Sequence, residues 1–378
     1  MARMIKVKIS SFDALDTKLR EEMVSMRDAQ PVYDSPFFDL DFAEIVASQR
    51  SDARLIIAED ANGVVGYWPV HIRPGKWVRA IGAPFSDWHG PVMRADETSL
   101  TPEAFLKHAG LRGMTVTGLQ DTSRPTRTGR RTFGVGIAYL PDGAEAYREQ
   151  RKRLYPKHFK NLRRSVRLIA KNFSQVDYAI DDLTQETFRW LMRAKSQQFR
   201  QTRKHNVLQA KWVQDMMETL RTKQYPRLRG RCSSLRFDGN LAAVEFNILS
   251  DTVVHGWITA YDRDYNLYSP GHHLMLAVIC DMENTGHVFC DVGAGDHAYK
   301  KYYESLQFPA QQTVLRTGLG TRPFATSWVL AETHAPDRVS RLMARARRRG
   351  DQIFACELSL ADRLTGLATA FNGSKGPR

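Results

Sequence analysis

The sequence predicts an α/β protein with mixed sheets, in which two similar halves each form a mostly antiparallel sheet flanked by helices. Two observations lead to this fold class. Segments of helical periodicity alternate with strand-like segments along the chain. Each half also has a strong hairpin signal, which turns at Asn62-Gly63 in the first half and at Asp238-Gly239 in the second. We therefore expect domains at residues 1–145 and 146–315, followed by a basic extension at 316–378.

The first half begins with two predicted helices. SFDALDTKLREEMVSM has apolar residues at three-to-four spacing, and SPFFDLDFAEIVAS begins with Ser35 as a cap and Pro36 in the first turn. The hairpin of RLIIA and VVGYWPVHI follows. GAPFSDWHGPV is typical of a loop, because it contains two prolines and two glycines, and MTVTGL is typical of a strand.

A strongly basic segment opens the second half. Residues 148–171 contain ten Lys or Arg residues and one acidic residue, Glu149. The segment predicts an amphipathic helix, because its apolar residues recur at intervals of three and four: Phe159, Leu162, Val166 and Ile169. Such a helix would pack through its apolar stripe and present its cations to the outside.

The rest of the second half predicts two more helices and then a compact α/β unit. The helices are QETFRWLMRAKSQQFRQ and LQAKWVQDMMETLRTK, and RCSSLRF, LAAVEFNIL and VVHGWITAY form a three-stranded meander. SPGHHLMLAVICDMENTG predicts a helix with Ser269 as its N-cap. HVFCDVG predicts a buried strand, and DHAYKKYYESLQF predicts a closing helix.

Composition limits the location and the partners. The formal net charge is +14 and the isoelectric point is about 9.7, which favours phosphate-bearing partners or an anionic membrane face. The four cysteines lie far apart and form no C-x-x-C pair, so we expect reduced thiols. No stretch approaches the roughly 20 apolar residues that cross a bilayer, and the N-terminus does not resemble a secretory signal. We expect a cytoplasmic protein, with peripheral contact to the membrane as an open alternative.

Two segments of the second half predict a ligand site. Ser269, Pro270 and Gly271 open a helix, so backbone N–H groups and the positive end of the helix dipole are available to a phosphate. The second segment, Asp291 to Asp296, contains two glycines between a buried strand and the next helix, which lets the backbone approach a ligand closely. The hypothesis is that both segments line one cleft.

Carboxylates in or beside apolar strands can have a raised pKa, which suits them to proton transfer. The candidate catalytic residues are Asp262, Asp291, Glu245 and Tyr299. The candidate donor-binding residues are Ser269, Gly271, His272, Gly293, Gly295 and Lys300. His255 lies in a strand, where a lone histidine is more often packed than catalytic. The histidines show no metal-ligand spacing, so we predict no metal site.

The segment from Asp238 to Lys301 resembles acetyltransferases of the cellulose-biosynthesis CelD/BcsL type, in the GNAT superfamily and related to the FemAB transferases. LAAVEFNIL, TAYDRDYNLYSPGHHLM and DVGAGDHAYKKYY carry the resemblance. It implies tandem GNAT-like domains, with the CelD/BcsL-type domain in the second half. It also implies acetyl-CoA or another acyl-CoA as co-substrate and an amino-sugar or polysaccharide precursor as acceptor, in exopolysaccharide synthesis. In relatives, the loop that matches Trp88-His89-Gly90 faces the cleft between the domains.

Two other functions stay open at this point. A FemAB-like transferase would use aminoacyl-tRNA, with the basic helix as an RNA contact, but the coiled-coil arm of such enzymes is not visible. A regulatory protein would bind cyclic di-GMP through R-x-x-x-R spacings, which occur at Arg127…Arg131, Arg341…Arg345 and Arg345…Arg349. The companion Asp/Asn-x-Ser-x-x-Gly motif is absent from the sequence.

Overall fold

The computed structural model describes residues 4–123, 131–202, 204–293, 298–318 and 335–372. Within these ranges the helices are α1 Thr17–Asp28, α2 Leu40–Gln49, α3 Pro102–His108, α4 Gly143–Leu154, α5 Pro156–Asn172, α6 Gln185–Gln201, α7 Lys211–Thr222, α8 Pro270–Thr285, α9 Asp337–Cys356 and α10 Leu360–Asn372. None of these helices combines the length and the apolar character that a membrane span requires.

The strands of the described residues form one sheet of 13 strands. They are β1 Lys6–Ser10, β2 Ala53–Asp60, β3 Gly63–Arg73, β4 Trp77–Ala80, β5 Val92–Met93, β6 Gly113–Leu119, β7 Arg131–Tyr139, β8 Val176–Ala179, β9 Arg229–Phe237, β10 Asn240–Leu249, β11 Val253–Tyr261, β12 Phe289–Asp291 and β13 Leu306–Arg316. The order is β1-β2-β3-β4-β6-β13-β7-β12-β11-β10-β9-β8, and β5 pairs with β3. Only the pairs β4–β6 and β11–β12 among them are parallel.

The two halves of the sheet repeat one arrangement. In each half, a three-stranded meander (β2-β3-β4 or β9-β10-β11) is followed by a helix (α3 or α8) and by a strand parallel to the last strand of the meander (β6 or β12). The last strand of each half is exchanged between the halves. Strand β7 of the first half lies beside β12, and strand β13 of the second half lies beside β6. The predicted domain boundaries at residues 145 and 315 stay a prediction, since β7 and β13 each pair with a strand of the other half.

Helices cover both faces of the second-half strands. On one face, α6 and α7 pack against the meander through Leu191, Val213 and Phe246, which are all buried. On the other face, α8 packs through Leu274 and Ile279 together with residues of α4 and α5. The predicted meander and its flanking helices are therefore confirmed.

The predicted start of α2 is wrong, whereas Ser269 does occupy the N-cap position of α8 as predicted but does not cap it with its side chain. Ser35 does not cap α2, because residues Pro36–Phe38 form a short 3₁₀ turn and the Asp39 carboxylate then accepts the N–H of Asp41 at 2.9 Å. The side chain of Ser269 makes no capping hydrogen bond at α8. Its backbone is left-handed, with φ of 54°, and its carbonyl accepts the N–H groups of His272 and His273.

The predicted closing helix is also wrong. Lys300–Tyr302 form a single 3₁₀ turn, and β13 then begins at Leu306. Strand formation prevails there because β13 fills the position between β6 and β7 and pairs with both.

The apolar stripe of α5 differs from the prediction at one position. Phe159, Leu162 and Ile169 are buried as expected, but Val166 is 52% exposed. Ser165 is buried in its place, and its hydroxyl lies 2.7 Å from Nε2 of His273 on α8. A polar contact thus completes the packing of α5.

The end of α9 is held by side chains from both halves. Arg50 donates to the carbonyl of Ala355 at 2.9 Å and also pairs with Asp52 at 2.8 Å. Trp212 donates from its indole nitrogen to the carbonyl of Cys356 at 3.0 Å. The last carbonyls of a helix carry its negative dipole end, so an arginine there is favourable. The extension is therefore part of the folded core where it is described.

We expect the Arg50→Ala variant to lose about 3 kcal/mol of unfolding free energy, because it removes a buried guanidinium that donates both to the Asp52 carboxylate and to the carbonyl of Ala355. Urea denaturation measures this loss, and limited proteolysis should release the C-terminal helices earlier. The exposed Arg112 supplies the control, since its alanine variant should change stability by less than about 0.5 kcal/mol. Equal denaturation midpoints for Arg50→Ala and the wild type would contradict the assigned role.

Candidate active site

A cleft opens where the parallel strands β11 and β12 part. Their pairing runs from Val253–Phe289 to His255–Asp291 and stops there, because β12 ends while β11 continues to Tyr261. Beyond this position β11 lacks a partner on one edge among the described strands. The resulting cleft has a volume of about 540 Å³, and Gly256, Trp257 and Thr259 line its β11 side.

The two segments that the sequence analysis singled out both line this cleft. Ser269, Gly271 and His272 contribute from the start of α8, and Gly293 and Lys300 contribute from the elbow after β12. The Lys300 ammonium donates to the carbonyl of Gly293 at 2.7 Å. Gly293 has φ of 80°, a region that favours glycine. Gly295, the other predicted donor-binding glycine, lies outside the described residues.

His255 is fully buried between two carboxylates. Its Nδ1 lies 3.1 Å from Oδ2 of Asp291, and its Nε2 lies 3.3 Å from Oδ2 of Asp87. Asp291 also accepts the indole N–H of Trp88 at 2.6 Å and the backbone N–H of Gly293 at 2.7 Å. Burial alone would lower the pKa of His255, but the two carboxylates outweigh it and raise this pKa to about 9. The imidazole is therefore charged at neutral pH.

The carboxylate of Asp87 reaches this position from the first half. Its loop is fixed on β6, because the N–H of His89 donates to the carbonyl of Gly118 at 3.0 Å. The approach is so close that a Cβ at Gly118 would lie 1.8 Å from the carbonyl oxygen of Asp87. The side chain of Asp87 is 35% exposed and lines the cleft. The candidate site thus contains residues of both halves.

Glu245 on β10 is a buried carboxylate inside the cleft. One oxygen accepts the side-chain N–H of Asn247 at 2.7 Å, and the other has no hydrogen-bond partner among the described residues. Burial raises the pKa of Glu245 above its usual value. A buried carboxylate with a raised pKa and one oxygen unused by hydrogen bonds among the described residues is a candidate general base.

Two further proton-transfer groups line the cleft. Burial raises the pKa of Tyr299 to about 12, so its phenol stays protonated and can donate. Burial, and then the charge of Lys204, lower the pKa of Lys195 to about 8. The Lys195 ammonium donates to the carbonyl of Thr259 at 2.9 Å.

Asp262 is not brought together with the other candidates. Its side chain caps the turn Arg263–Tyr268 by accepting the N–H of Asp264 at 3.0 Å. It lines a separate groove of about 510 Å³, which also contains Trp190 and Arg193. Asp291 likewise does not line the cleft, since it is buried behind His255.

Three residues of the site were not predicted from the sequence. The sequence favours a packing role for His255 and does not single out Asn247 or Lys195. A signal was present, because Glu245, Asn247 and His255 are polar residues within otherwise apolar strands. Asp87 was seen only as part of a loop, because the sequence does not show which strand that loop contacts.

One group of potential metal-ligating atoms occurs among the described residues, at His205, Cys356 and Glu357. Nε2 of His205 already lies within hydrogen-bond distance of Oε1 of Glu357, at 2.9 Å. Burial raises the pKa of the Cys356 thiol to about 12, which disfavours the thiolate that a metal needs. The arginine pairs proposed for cyclic di-GMP lie outside what the structure describes, because Arg127 and the side chains of Arg131, Arg341 and Arg345 are not described.

Residues 156–301 match the family described as Acetyltransferase (GNAT) domain. The matched segment contains α5, the meander β9-β10-β11, the elbow after β12 and all the residues that line the cleft except Asp87. The second half thus contains a GNAT acetyltransferase domain, which supports the acyltransferase that the sequence predicts, and GNAT domains use acyl-CoA co-substrates. No curated protein matches the chain.

Solved structures are similar to the chain at low sequence identity. FemX is 9% identical with a TM-score of 0.50, covering 80% of this chain and 96% of the FemX chain. A tandem GNAT protein from the clavulanic acid biosynthesis pathway is 11% identical with a TM-score of 0.47, covering 84% of this chain and 99% of that chain. The predicted fold class, a mostly antiparallel mixed sheet flanked by helices, is confirmed.

NMR of labelled histidines should separate His255 from His71, a second buried histidine that contacts a carboxylate. His71 lies 3.0 Å from Asp52, but burial, together with Arg50 and Arg73, lowers its pKa to about 4. We expect His255 to titrate near pH 9 and His71 to stay neutral above about pH 5.

The same shift predicts how stability depends on pH. Because the folded pKa of His255 lies above the usual 6.5, its contribution is fully present below about pH 6.5 and is lost as the pH rises through about 9. This part of the unfolding free energy is on the order of 3 kcal/mol. The His255→Gln and His71→Gln variants assign the two histidine NMR signals. A pKa of His255 below 7 would contradict a charged imidazole between Asp87 and Asp291.

Proposed function

We propose that the protein transfers an acyl group from acyl-CoA to the amino group, or a hydroxyl group, of a sugar unit in surface polysaccharide synthesis. The observation that carries the proposal is that one cleft contains an open strand edge, a helix N-terminus and the buried carboxylate of Glu245. The sugar and the polysaccharide rest on the resemblance to CelD/BcsL-type acetyltransferases. The acyl-CoA donor also rests on the matched GNAT domain.

The groups that line the cleft can bind the successive parts of an acyl-CoA, from the pyrophosphate to the pantetheine arm. The first turn of α8 offers its positive dipole end to the pyrophosphate. Along residues 256–261, alternate backbone groups of β11 point to the open edge, where the amides of the pantetheine arm can pair as an added strand would. Lys195, Lys204 and Lys300 add positive charge around the cleft. Ser269 supports this placement, since its hydroxyl is not used in capping.

The buried groups can carry the proton transfers. Glu245 takes the proton from the attacking nitrogen as the new C–N bond forms at the thioester carbonyl. Backbone N–H groups on the open edge of β11 stabilise the oxyanion. The C–S bond then breaks, and the thiolate of CoA takes a proton from Tyr299. The products are the acylated acceptor and free CoA.

The charge pair behind the cleft positions the acceptor side. His255 holds Asp87 and Asp291, and only Asp87 faces the cleft. Its carboxylate adds to that of Glu245 and favours an acceptor that enters as an ammonium group, such as an amino sugar, which loses one proton to solvent to become the amine that attacks and a second to Glu245 as the amide forms. Trp257 offers an aromatic face on which a sugar ring can stack.

Replacing Glu245 with Gln tests the assigned base. We expect kcat for acetyl transfer from acetyl-CoA to glucosamine to fall by roughly 100-fold or more, because the base is lost. The affinity for CoA, measured by calorimetry, should not change, since donor binding uses other groups.

Asp262→Asn is the matched control, because it removes a carboxylate outside the cleft. It should keep wild-type kcat and CoA affinity. Loss of activity in Asp262→Asn with retained activity in Glu245→Gln would contradict the assignment, and absence of CoA binding by the wild type would contradict the proposed function itself.

A further inference from the structure

Helix α5 presents one continuous face of positive charge. We define the α5 face by its six exposed cations: Lys157, Lys160, Arg163, Arg164, Arg167 and Lys171. No carboxylate of the described residues lies within ion-pair distance of any of them. Glu149, the acidic residue of this basic segment, pairs with Lys152 instead.

This charge pattern opposes the stability of the helix itself. The first turn contains no acidic residue, and Lys157 and Lys160 lie near the positive end of the helix dipole. The cations also recur three and four residues apart, where like charges on a helix repel each other. The buried residues Phe159, Leu162 and Ile169 hold the helix in place against this repulsion. An anionic partner would relieve it.

Large apolar side chains are exposed on the same element and on its neighbours. Leu154, two residues before α5, is 57% exposed, and Val166 within α5 is 52% exposed. Leu267, in the turn Arg263–Tyr268, is 69% exposed. That turn packs against α5, where the side chain of Asn172 donates to the hydroxyl of Tyr268 at 3.1 Å. Cations combined with exposed apolar side chains are typical of a helix that lies on a lipid surface.

The α5 face is close to the mouth of the cleft. The turn that adjoins α5 contains Asn266, which lines the cleft, and it leads directly into Ser269 and Gly271. A surface bound by α5 would therefore lie near the place where ligands enter.

We propose that the α5 face docks the protein on an anionic lipid bilayer and holds the mouth of the cleft beside the headgroups. The acceptor then reaches the cleft from the membrane surface. The cations attract the anionic headgroups, and the exposed apolar side chains enter the interface. Docking uses no residue to which a catalytic role is assigned.

Vesicle co-sedimentation tests the docking. The full chain should bind phosphatidylcholine vesicles that contain about 30% phosphatidylglycerol, should not bind pure phosphatidylcholine, and should dissociate at high salt. The triple variant Lys160→Glu, Arg163→Glu, Arg167→Glu should bind these vesicles at least about 100-fold more weakly than the wild type. Circular dichroism should show that it keeps its helical content.

A second triple variant controls for net charge. Lys18→Glu, Lys107→Glu, Lys223→Glu changes the charge by the same amount at exposed sites outside α5, and it should bind like the wild type. Equal loss in both variants would show that binding follows net charge alone and would overturn the proposal.

A third variant separates lipid from nucleic acid. Leu154→Ser with Leu267→Ser should weaken vesicle binding and leave any gel shift with bulk tRNA unchanged. Tight tRNA binding that needs the α5 cations, without vesicle binding, would overturn the proposal in favour of an RNA partner. None of these measurements uses an acyl donor, so failure of the docking is distinct from failure of the proposed acyl transfer.

Discussion

The structure depends on the buried pair of His255 and Asp291, which occupies the last paired position of β11 and β12. A single buried charge is costly, but this carboxylate is compensated by the imidazolium and by two N–H donors, from Trp88 and Gly293. On one side of that position β11 and β12 are paired in the sheet. On the other side β12 ends, β11 continues alone, and the space between them becomes the cleft. One buried interaction thus sets both the limit of the sheet and the start of the site.

The same interaction makes the two halves interdependent. Asp87 and Trp88 arrive on a first-half loop that is fixed to β6, and the carbonyl of Phe85 in that loop accepts the indole N–H of Trp257 at 2.7 Å. Strands β7 and β13 each pair within the opposite half of the sheet. The first half is therefore a structural part of the candidate site, although the GNAT match lies in the second half. Neither half alone would hold His255 between two carboxylates.

Local patterns in the sequence predicted the hairpins, the meander and helix α8, because alternation, turn residues and terminal glycine act within a few residues. The juxtaposition of the Ser269 turn with Gly293 and Lys300 also follows from such reasoning, since α8 and β12 are consecutive. The contact between Asp87 and His255 could not be predicted, because it joins segments 168 residues apart through a loop. The prediction of a closing helix was wrong for a similar reason, since β13 owes its strand conformation to pairing with β6 and β7, which are distant in sequence. Ser165 replaced Val166 in the packing of α5 because His273 supplies a polar contact that periodicity does not reveal.

The central claim is that the parted strands form the donor site, and a crystal structure of the protein with CoA tests it most directly. The account predicts the pyrophosphate at Ser269 to His272, the pantetheine arm along the free edge of β11, and the thiol within reach of Glu245. CoA bound elsewhere, with the gap between β11 and β12 closed by side chains, would contradict it.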